Sequence, residues 1–265
     1  MPELIEVELY RRALDPLLGH TVDDVELLDP NYLRPSGASP ESLSALVGAS
    51  LAMTTRIGKL LLLDLRHGSD DHDPSYVGFR FGMTGRLVID GAGPIERLEY
   101  SSGRNNPDWD RVRLLIGGRH VAVRDPRRLG SIDIDPAFED LGPDAATIEL
   151  DAMATALRDR TASLKALLLR QELLAGLGNL LADEVLFAAR LDPRRSGGSL
   201  DEDEVARLHA TTVETIALLT ERRGSHTGDL FPHRHDDGVC PFDGTTLRSS
   251  RLGGRTTWWC PHHQR

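Results

Sequence analysis

The chain has 265 residues, of which 40% are hydrophobic, 27% charged and 5% aromatic. This length suffices for two domains with a core each, and the composition excludes collagen, a disulfide scaffold and a fully disordered chain. The sequence has no apolar run of the roughly 18 residues that span a bilayer, and its acidic start at Glu3 and Glu6 is unlike a secretory signal. We therefore expect a soluble cytoplasmic protein with no membrane partner.

Charge is distributed unevenly along the chain. The formal net charge of −10 argues, taken alone, against a nucleic-acid-binding protein, because phosphate binding requires basic surface. The C-terminal segment differs, since no acidic residue follows Asp243 and the segment carries Arg248, Arg251, Arg255 and Arg265. The chain is therefore acidic as a whole and basic at its end.

The N-terminal half has the pattern of a β-sandwich or a β-barrel behind a leading helix. Residues 3–18 predict a helix with leucines on one face, and Gly19 follows its end. Gly117-Gly118 predicts a hairpin turn, because both residues can adopt positive φ. The seven short β runs that suggest a sandwich or a barrel are Val22–Leu28, Leu51–Ile57, Leu60–Leu65, Val77–Phe81, Leu87–Ile89, Val112–Ile116 and His120–Arg124.

The second half is helical from Pro136 to about residue 222. Ser199 and Glu202 predict a capping box at the start of its last helix, and residues 223–239 predict a loop. The sequence from Cys240 onward predicts a small hairpin. The expected fold class is α+β with two domains, divided into an N-terminal β domain (1–135), a linker (136–148), a helical domain (149–226) and a terminal hairpin (227–265).

The N-terminus offers a nucleophile. Removal of Met1 would leave Pro2 with a secondary amine, and α-amino groups titrate near about 7.7–8.0, so part of the amine is neutral at pH 7. Such an amine can attack an electrophilic sugar carbon and form an iminium, which is an electron sink for elimination, with Glu3 exchanging protons. The alternative is that Pro2 and Glu3 only begin a helix, where both residue types are favoured.

Three further motifs admit both a functional and a structural interpretation. Lys59 follows Gly58 at the start of an apolar run, where the lysine could project from a hairpin tip, and the structural interpretation is that it is simply solvated. The segment Asp125–Gly130 combines cations with an apolar tip, as needed to unstack DNA, although such loops are also ordinary surface features. In Gly176-Leu177-Gly178-Asn179, the glycines allow backbone N–H groups to approach an anion at the next helix, yet an unliganded helical hairpin has the same pattern.

The C-terminal hairpin has the spacing of a zinc ribbon. Cys240-x2-Asp243 and Cys260-x2-His263 are separated by 16 residues, and all four are permitted zinc ligands. Only two of them are cysteines, so His262 or an upstream histidine could substitute as a ligand, and a metal-free hairpin is the alternative. We expect one structural zinc ion.

In this order, the motifs resemble one family, the bacterial formamidopyrimidine-DNA glycosylase and endonuclease VIII family of base excision repair. The resemblance spans the chain and rests on MPELIEVE at 1–8, RIGKLLLLDL at 56–65, FGMTGRL at 81–87, DPRRLG at 125–130, LGPD at 141–144, GLGNLLADEVLFAARLDP at 176–193 and GRTTWWCPHHQR at 254–265. It implies a β-sandwich, a helix–two-turn–helix module and a zinc finger, with damaged or abasic double-stranded DNA bound by a monomer in the cleft between domains. It also places the protein in the bacterial cytoplasm, at the nucleoid when bound to DNA.

The resemblance also implies roles for single residues. Pro2 resembles the nucleophile, Glu3 the general acid/base, and Lys59 the lysine that contacts phosphates and sugar at the lesion. Asn179 and Arg255 are similar to residues that grip phosphate. The side chains that fill the void left by an extruded base match Met83, Arg127 and Leu129. The implied activity is a bifunctional glycosylase and β,δ-elimination lyase, and the alternative is a catalytically weak or silent protein of the same fold that binds lesions or abasic sites. A zinc-ribbon interaction module with no DNA role is a second alternative, but it leaves the Gly-Leu-Gly-Asn turn and the Asp125–Gly130 loop unexplained.

The chain departs from the family pattern at four places. Ile5 replaces a common proline, and Leu129 replaces a usual phenylalanine wedge, so stacking on the flanking base should be weaker. Asp243 and His263 stand where cysteines are usual. The segment from Gly224 to Cys240 is shorter than in relatives specific for 8-oxoguanine, which implies weak excision of that base and a preference for ring-opened purines, oxidised pyrimidines or abasic sites.

Overall fold

The computed structural model describes residues 2–33, 39–68, 75–95, 98–99 and 104–265. They form two compact units, the first from Pro2 and Glu6–Phe138, the second from Glu3–Ile5 and Glu139–Arg265. No helix in these residues is long and apolar enough to cross a membrane. The finer subdivision at residues 135, 148 and 226 stays a prediction.

The first unit is built on two four-stranded antiparallel sheets. Helix α1 (Leu4–Ala13) leads into them, and a short helix α2 (Pro40–Ser44) lies between the first two strands. The strands are β1 (Val22–Leu27), β2 (Ser50–Ile57), β3 (Leu60–Arg66), β4 (Ser75–Arg80), β5 (Arg86–Ile89), β6 (Asp110–Ile116), β7 (Arg119–Arg124) and β8 (Ser131–Ile134). One sheet has the order β1-β6-β7-β5 and the other β2-β3-β4-β8.

The predicted strands are confirmed, with ends shifted by one or two residues. The Gly117-Gly118 turn joins β6 to β7 with positive φ at both glycines, as expected. The predicted helix 3–18 is too long, because α1 ends at Ala13 and a separate 3₁₀ turn, Asp15–Leu17, follows. Pro16 explains the break, since proline cannot donate the hydrogen bond that continues an α-helix. Tyr10 on α1 packs against Phe81, with ring centroids 4.7 Å apart.

The second unit is helical and ends in a β-ribbon. Its elements are α3 (Leu150–Leu157), α4 (Leu164–Leu168), α5 (Asn179–Ala188), α6 (Glu202–Glu221), β9 (Arg248–Leu252) and β10 (Arg255–Trp259). Helix α5 is buried from Asn179 to Phe187 because α6 and β10 both pack against it. The predicted capping box at Ser199 is wrong, because Asp201 is the N-cap of α6 and exchanges hydrogen bonds with Glu204. The predicted α+β class, with sandwich, helices and hairpin, is confirmed.

Candidate functional site

Glu3 binds the beginning of α5 through its side chain. Its carboxylate accepts backbone N–H bonds from Gly178 at 2.8 Å, Leu180 at 2.9 Å and Leu181 at 3.1 Å. The residue is 1% exposed. The first N–H groups of a helix have no partner within it and carry the positive end of its dipole, so a carboxylate is a favourable partner there. The anion expected at this turn is therefore the protein's own Glu3.

The glycines of the turn make this contact possible. A Cβ on Gly178 would lie 2.3 Å from the carboxyl carbon of Glu3, and one on Gly176 would lie 2.5 Å from a methyl carbon of Leu4. Gly176 also has φ +114°, which other residues rarely adopt. Both glycines are thus required by the close approach of residues 3 and 4.

Pro2 is buried, and the preceding Met1 lies outside the described residues. Asn179 is the first residue of α5 and is 8% exposed, and its carbonyl oxygen accepts a 2.6 Å hydrogen bond from the Lys165 ammonium. Its side-chain Oδ1 is buried and has no hydrogen-bond partner among the described residues.

Lys59 is the second residue of the two-residue turn between β2 and β3, which the paired residues Ile57 and Leu60 close. Gly58 supplies the positive φ of +56° that a tight hairpin of this kind requires at its first turn position. The guanidinium of Arg56 donates to the Gly58 carbonyl at 2.9 Å. Lys59 is half-buried in this turn, which the Arg56 hydrogen bond stabilises.

Asp125 organises the loop that carries Arg127 and Leu129. Its carboxylate accepts backbone N–H bonds from Arg127 at 3.2 Å and from Leu129 and Gly130 at 2.8 Å each, and a hydroxyl bond from Thr84. Asp125 is fully buried. A buried carboxylate with this many donors fixes the loop while the side chains that follow it remain exposed.

The loop presents a cation and an apolar tip together. Leu129 is 44% exposed, and Arg127 is exposed and forms no ion pair with any described residue. The neighbouring Arg128 has φ +54° and pairs with Asp29 at 2.8 Å. A Cβ on Gly82 would lie 2.3 Å from the Leu129 carbonyl oxygen, so the turn carrying the half-buried Met83 lies directly against this loop. The first unit therefore brings the predicted void-filling residues into one region.

Arg255 is exposed at the start of β10, next to the Gly253-Gly254 turn. A Cβ on Gly253 would lie 3.1 Å from the Cα of Ala166, so the hairpin tip packs onto α4. Helix α4 carries Lys165, which holds the Asn179 carbonyl. Arg255 and Asn179 are thus linked through α4.

Three of the four predicted metal ligands converge. One ligand atom from each of Cys240, Asp243 and Cys260 lies within 4.8 Å of the other two. Burial raises the pKa of the Cys240 thiol to about 11, and the Thr245 backbone N–H lowers the pKa of Asp243 to about 2. A metal would therefore have to displace a proton from Cys240.

His263 departs from the predicted ligand set. Its Nε2 lies 3.1 Å from the Phe187 carbonyl oxygen, and its ring lies 4.5 Å from the ring centroids of Phe187 and of Phe242. Packing against these rings keeps His263 outside the three-ligand group. Thiolate and carboxylate are ordinary zinc ligands, so the residues present fit zinc in three of its four positions.

Sequence reasoning missed Asp125 and the partners of Lys165. The Asp125-Pro126 pair is a recognisable turn signal, because aspartate side chains accept backbone N–H bonds two residues on. The sequence shows that Lys165 is one of two lysines but gives no sign that it is fully buried beside Asp183.

Comparison with known proteins assigns the family. A model of the formamidopyrimidine-DNA glycosylase N-terminal domain matches residues 1–132, and a model of the family's H2TH domain matches residues 141–229. The formamidopyrimidine-DNA glycosylases of Carboxydothermus hydrogenoformans and Geobacillus kaustophilus are 30% and 32% identical, over 100% of both chains in each case.

Solved structures agree. The crystal structure of the MutM (Fpg) protein of Thermus thermophilus superposes with a TM-score of 0.78 at 30% identity, covering 99% of this chain and 98% of that one. Lactococcus lactis Fpg in complex with DNA containing an abasic site has a TM-score of 0.81 at 22% identity over the whole of both chains, which shows the shared fold. This chain belongs to the formamidopyrimidine-DNA glycosylase family.

Proposed function

We propose that the protein removes damaged bases from double-stranded DNA and cleaves the strand at the resulting abasic site. Family membership makes it a DNA glycosylase of base excision repair, and abasic-site lyase activity is typical of the family. The Lactococcus lactis protein of the same fold is seen bound to DNA that contains an abasic site. Damaged double-stranded DNA in the bacterial cytoplasm is accordingly the proposed substrate, and the nucleoid is the proposed place of action.

Pro2 is the proposed nucleophile. While Met1 is attached, the Pro2 nitrogen is a tertiary amide without nucleophilic character, so the reaction requires removal of Met1. The freed amine attacks C1′ of the damaged nucleotide, the bond between C1′ and the base breaks, and the base leaves with the bonding electrons and takes up a proton. The C1′–O4′ bond then breaks and O4′ takes up a proton, which opens the sugar ring and leaves an iminium at C1′. This iminium accepts electrons as a base removes a C2′ proton and the C3′–O bond breaks, and a second elimination breaks the C5′–O bond and releases the 5′ phosphate.

Glu3 is the proposed proton carrier of these steps. It is adjacent to Pro2 in the chain, and its position is fixed by three N–H donors from another segment. A glutamate that served only to begin α1 would have its side chain at the start of that helix. Its binding to α5 instead is the observation that most favours a catalytic terminus over the simple helix-start interpretation.

The remaining residues are proposed to hold distorted DNA. Extruding a base costs about a few kcal/mol of stacking and pairing energy. Side chains that occupy the resulting gap offset part of this cost. Met83, Arg127 and Leu129 are proposed to fill it, with Arg127 facing the unpaired base. Lys59, Asn179 and Arg255 are proposed to bind phosphates.

The three converging residues Cys240, Asp243 and Cys260 are proposed to hold one structural zinc ion, with one coordination position not supplied by this group. Bound zinc would cross-link the two halves of the ribbon and stabilise the strand that carries Arg255. A small cluster of Phe187, Leu230, Cys240, Leu247 and Cys260 supports the same region by packing.

Lesion preference is proposed from the segment between α6 and the hairpin. The segment between Gly224 and Cys240 is short and contains only two 3₁₀ turns, Ser225–Thr227 and Phe231–His233. It lacks the length of the insert that caps a flipped 8-oxoguanine in specialised relatives. We expect ring-opened purines, oxidised pyrimidines and abasic sites to be better substrates.

A panel of duplexes tests this function. Each duplex carries one lesion (formamidopyrimidine, oxidised pyrimidine, 8-oxoguanine or an abasic site), and an undamaged duplex of the same sequence is the control. The proposal expects strand cleavage at the abasic site and at the first two lesions, and slower cleavage at 8-oxoguanine. Tight binding to the same duplexes without any cleavage would instead establish the silent lesion-binding protein.

A further inference from the structure

Lys165, Asp183 and Arg234 form a buried chain of charges beneath the turn that begins α5. The Lys165 ammonium lies 2.6 Å from one oxygen of the Asp183 carboxylate, and the Arg234 guanidinium lies 2.9 Å from the other. The side chains of Lys165 and Asp183 are 0% exposed and that of Arg234 is 7% exposed.

The chain of charges ends on the main chain of the turn that begins α5. Lys165 donates to the Asn179 carbonyl at 2.6 Å, and the N–H of the same peptide unit, on Leu180, donates to Glu3 at 2.9 Å. The Asn179–Leu180 peptide is therefore held at both ends by buried charged groups. Hydrogen bonds to charged groups are stronger than neutral ones, so this peptide has little freedom to rotate.

Arg234 is the distal member and comes from the segment between α6 and the hairpin. Its Nε and Nη2 atoms both reach the same Asp183 oxygen, at 3.1 Å and 2.9 Å. Without Arg234, that oxygen would lose its charged partner inside the protein, and Asp183 would be free to shift together with Lys165. Breaking a buried ion group by removing one member is strongly unfavourable, whereas the intact group adds little net stability, which favours a role in orientation.

We propose that Arg234 is a positioning residue that acts through Asp183 and Lys165 to hold Asn179 where it binds phosphate. The inference rests on the proposed DNA-binding function. The Arg234 side chain is only 7% exposed and its guanidinium is bound to Asp183, so its contribution to affinity passes through the turn.

The first test measures the affinity for a duplex that contains a tetrahydrofuran abasic analogue. Arg234→Gln should raise Kd about tenfold, and Arg234→Lys, which restores the charge without the planar fork, should recover most of that loss. Arg222→Gln is the matched control, because Arg222 pairs with Asp229 at 2.7 Å on an exposed surface where ion pairs contribute little. It should bind like the unaltered protein. Equal affinity of Arg234→Gln and the unaltered protein would overturn the inference.

The second test is a double-mutant cycle with Asn179→Ala. If Arg234 acts through Asn179, Arg234→Gln should change Kd less than about twofold in the Asn179→Ala background, because coupled residues are not additive. A general loss of packing would instead multiply the two losses, and that result would overturn the inference. If Arg234→Gln fails to fold, Asp183→Asn, which removes the charge that joins Arg234 to Lys165, runs the same cycle. Failure of the unaltered protein to prefer the abasic duplex over undamaged DNA would count against the proposed function rather than against this inference.

Discussion

The carboxylate of Glu3 accepts the backbone N–H of Gly178 at 2.8 Å, although 175 residues separate them in the chain. This contact leaves no room for a side chain on Gly178, since a Cβ there would lie 2.3 Å from the Glu3 carboxyl carbon. The second glycine of the Gly-Leu-Gly-Asn motif is therefore required by the residue next to the proposed nucleophile.

Gly178→Ala should displace Glu3 and lower both stability and activity. Overpacking of this kind costs about 1–3 kcal/mol of unfolding free energy. The excision rate should fall by more than the loss of folded protein explains, because Glu3 leaves its three N–H donors. Denaturant unfolding and single-turnover excision measure the two effects. Gly93→Ala is the control, because a Cβ there meets its nearest neighbour at 3.5 Å and lies on an exposed loop. Full activity in Gly178→Ala would contradict the assigned role of this contact.

The size of the Leu129 side chain should limit the rate at which the protein separates the stacked bases that flank a lesion. Replacement by the larger phenylalanine should speed excision from duplex DNA, and Leu129→Ala should slow it about tenfold, while the melting temperature stays constant because the side chain is 44% exposed. Excision rates on a formamidopyrimidine duplex check this order. Leu28→Ala, which truncates another leucine that is 39% exposed, should change nothing. Identical rates for the three Leu129 forms would remove this side chain from the proposed void-filling set.

The four candidate zinc ligands should differ in their effect on zinc binding. Cys260→Ser and Asp243→Ala should each abolish zinc retention, whereas His263→Ala should keep close to one zinc per chain, because His263 packs between Phe187 and Phe242. Native mass spectrometry of the purified proteins gives the metal content directly. Complete zinc loss from His263→Ala would restore the histidine to the ligand set, and absence of zinc from the unaltered protein would reject the site.

Glu184 should make the stability of the second unit depend on pH. Burial raises the pKa of its carboxyl from the usual 4.5 to about 7, and the side chain accepts the Leu230 N–H at 3.1 Å. Between these two values the folded state binds the proton and the unfolded state does not, so the unfolding free energy falls as pH rises from about 4.5 to 7. The full difference corresponds to about 3 kcal/mol.

Glu184→Gln should flatten this slope. Melting temperatures of the two proteins between pH 5 and 7 provide the comparison, with the exposed Glu172→Gln as a control that keeps the slope. An unchanged slope in Glu184→Gln would mean that another group accounts for the pH dependence.

Local sequence patterns predict most strands of the sandwich, but few of the hydrogen bonds and ion pairs that hold the site residues. The strands β2, β3, β6 and β7 are predicted from short apolar runs and glycine turns. Both signals are visible in the sequence because they involve residues that are neighbours in the chain. Strand β8 is not predicted as a separate strand, because Ser131–Ile134 has only four residues and becomes a strand by pairing with β4. The predicted α6 cap lies two residues too early because two acceptable capping residues, Ser199 and Asp201, each precede a glutamate by three positions.

The contacts that fix the functional residues join distant parts of the sequence. Glu3 with Gly178, Thr84 with Asp125, and Asp183 with Arg234 are separated by 41 to 175 residues, and no periodicity marks such pairs. The sequence can therefore name Pro2, Lys59 and Asn179 as candidates, whereas the carboxylates that hold their neighbours are visible only in the folded chain.

Borohydride trapping on abasic duplex DNA, followed by peptide mass spectrometry, identifies the amine that attacks the sugar. We expect one covalent adduct per chain, located on a peptide that begins with Pro2 and lacks Met1, and its loss in a variant that retains Met1. An adduct on Lys59 or Lys165, or undiminished cleavage by protein that still carries Met1, would contradict the proposed role of Pro2.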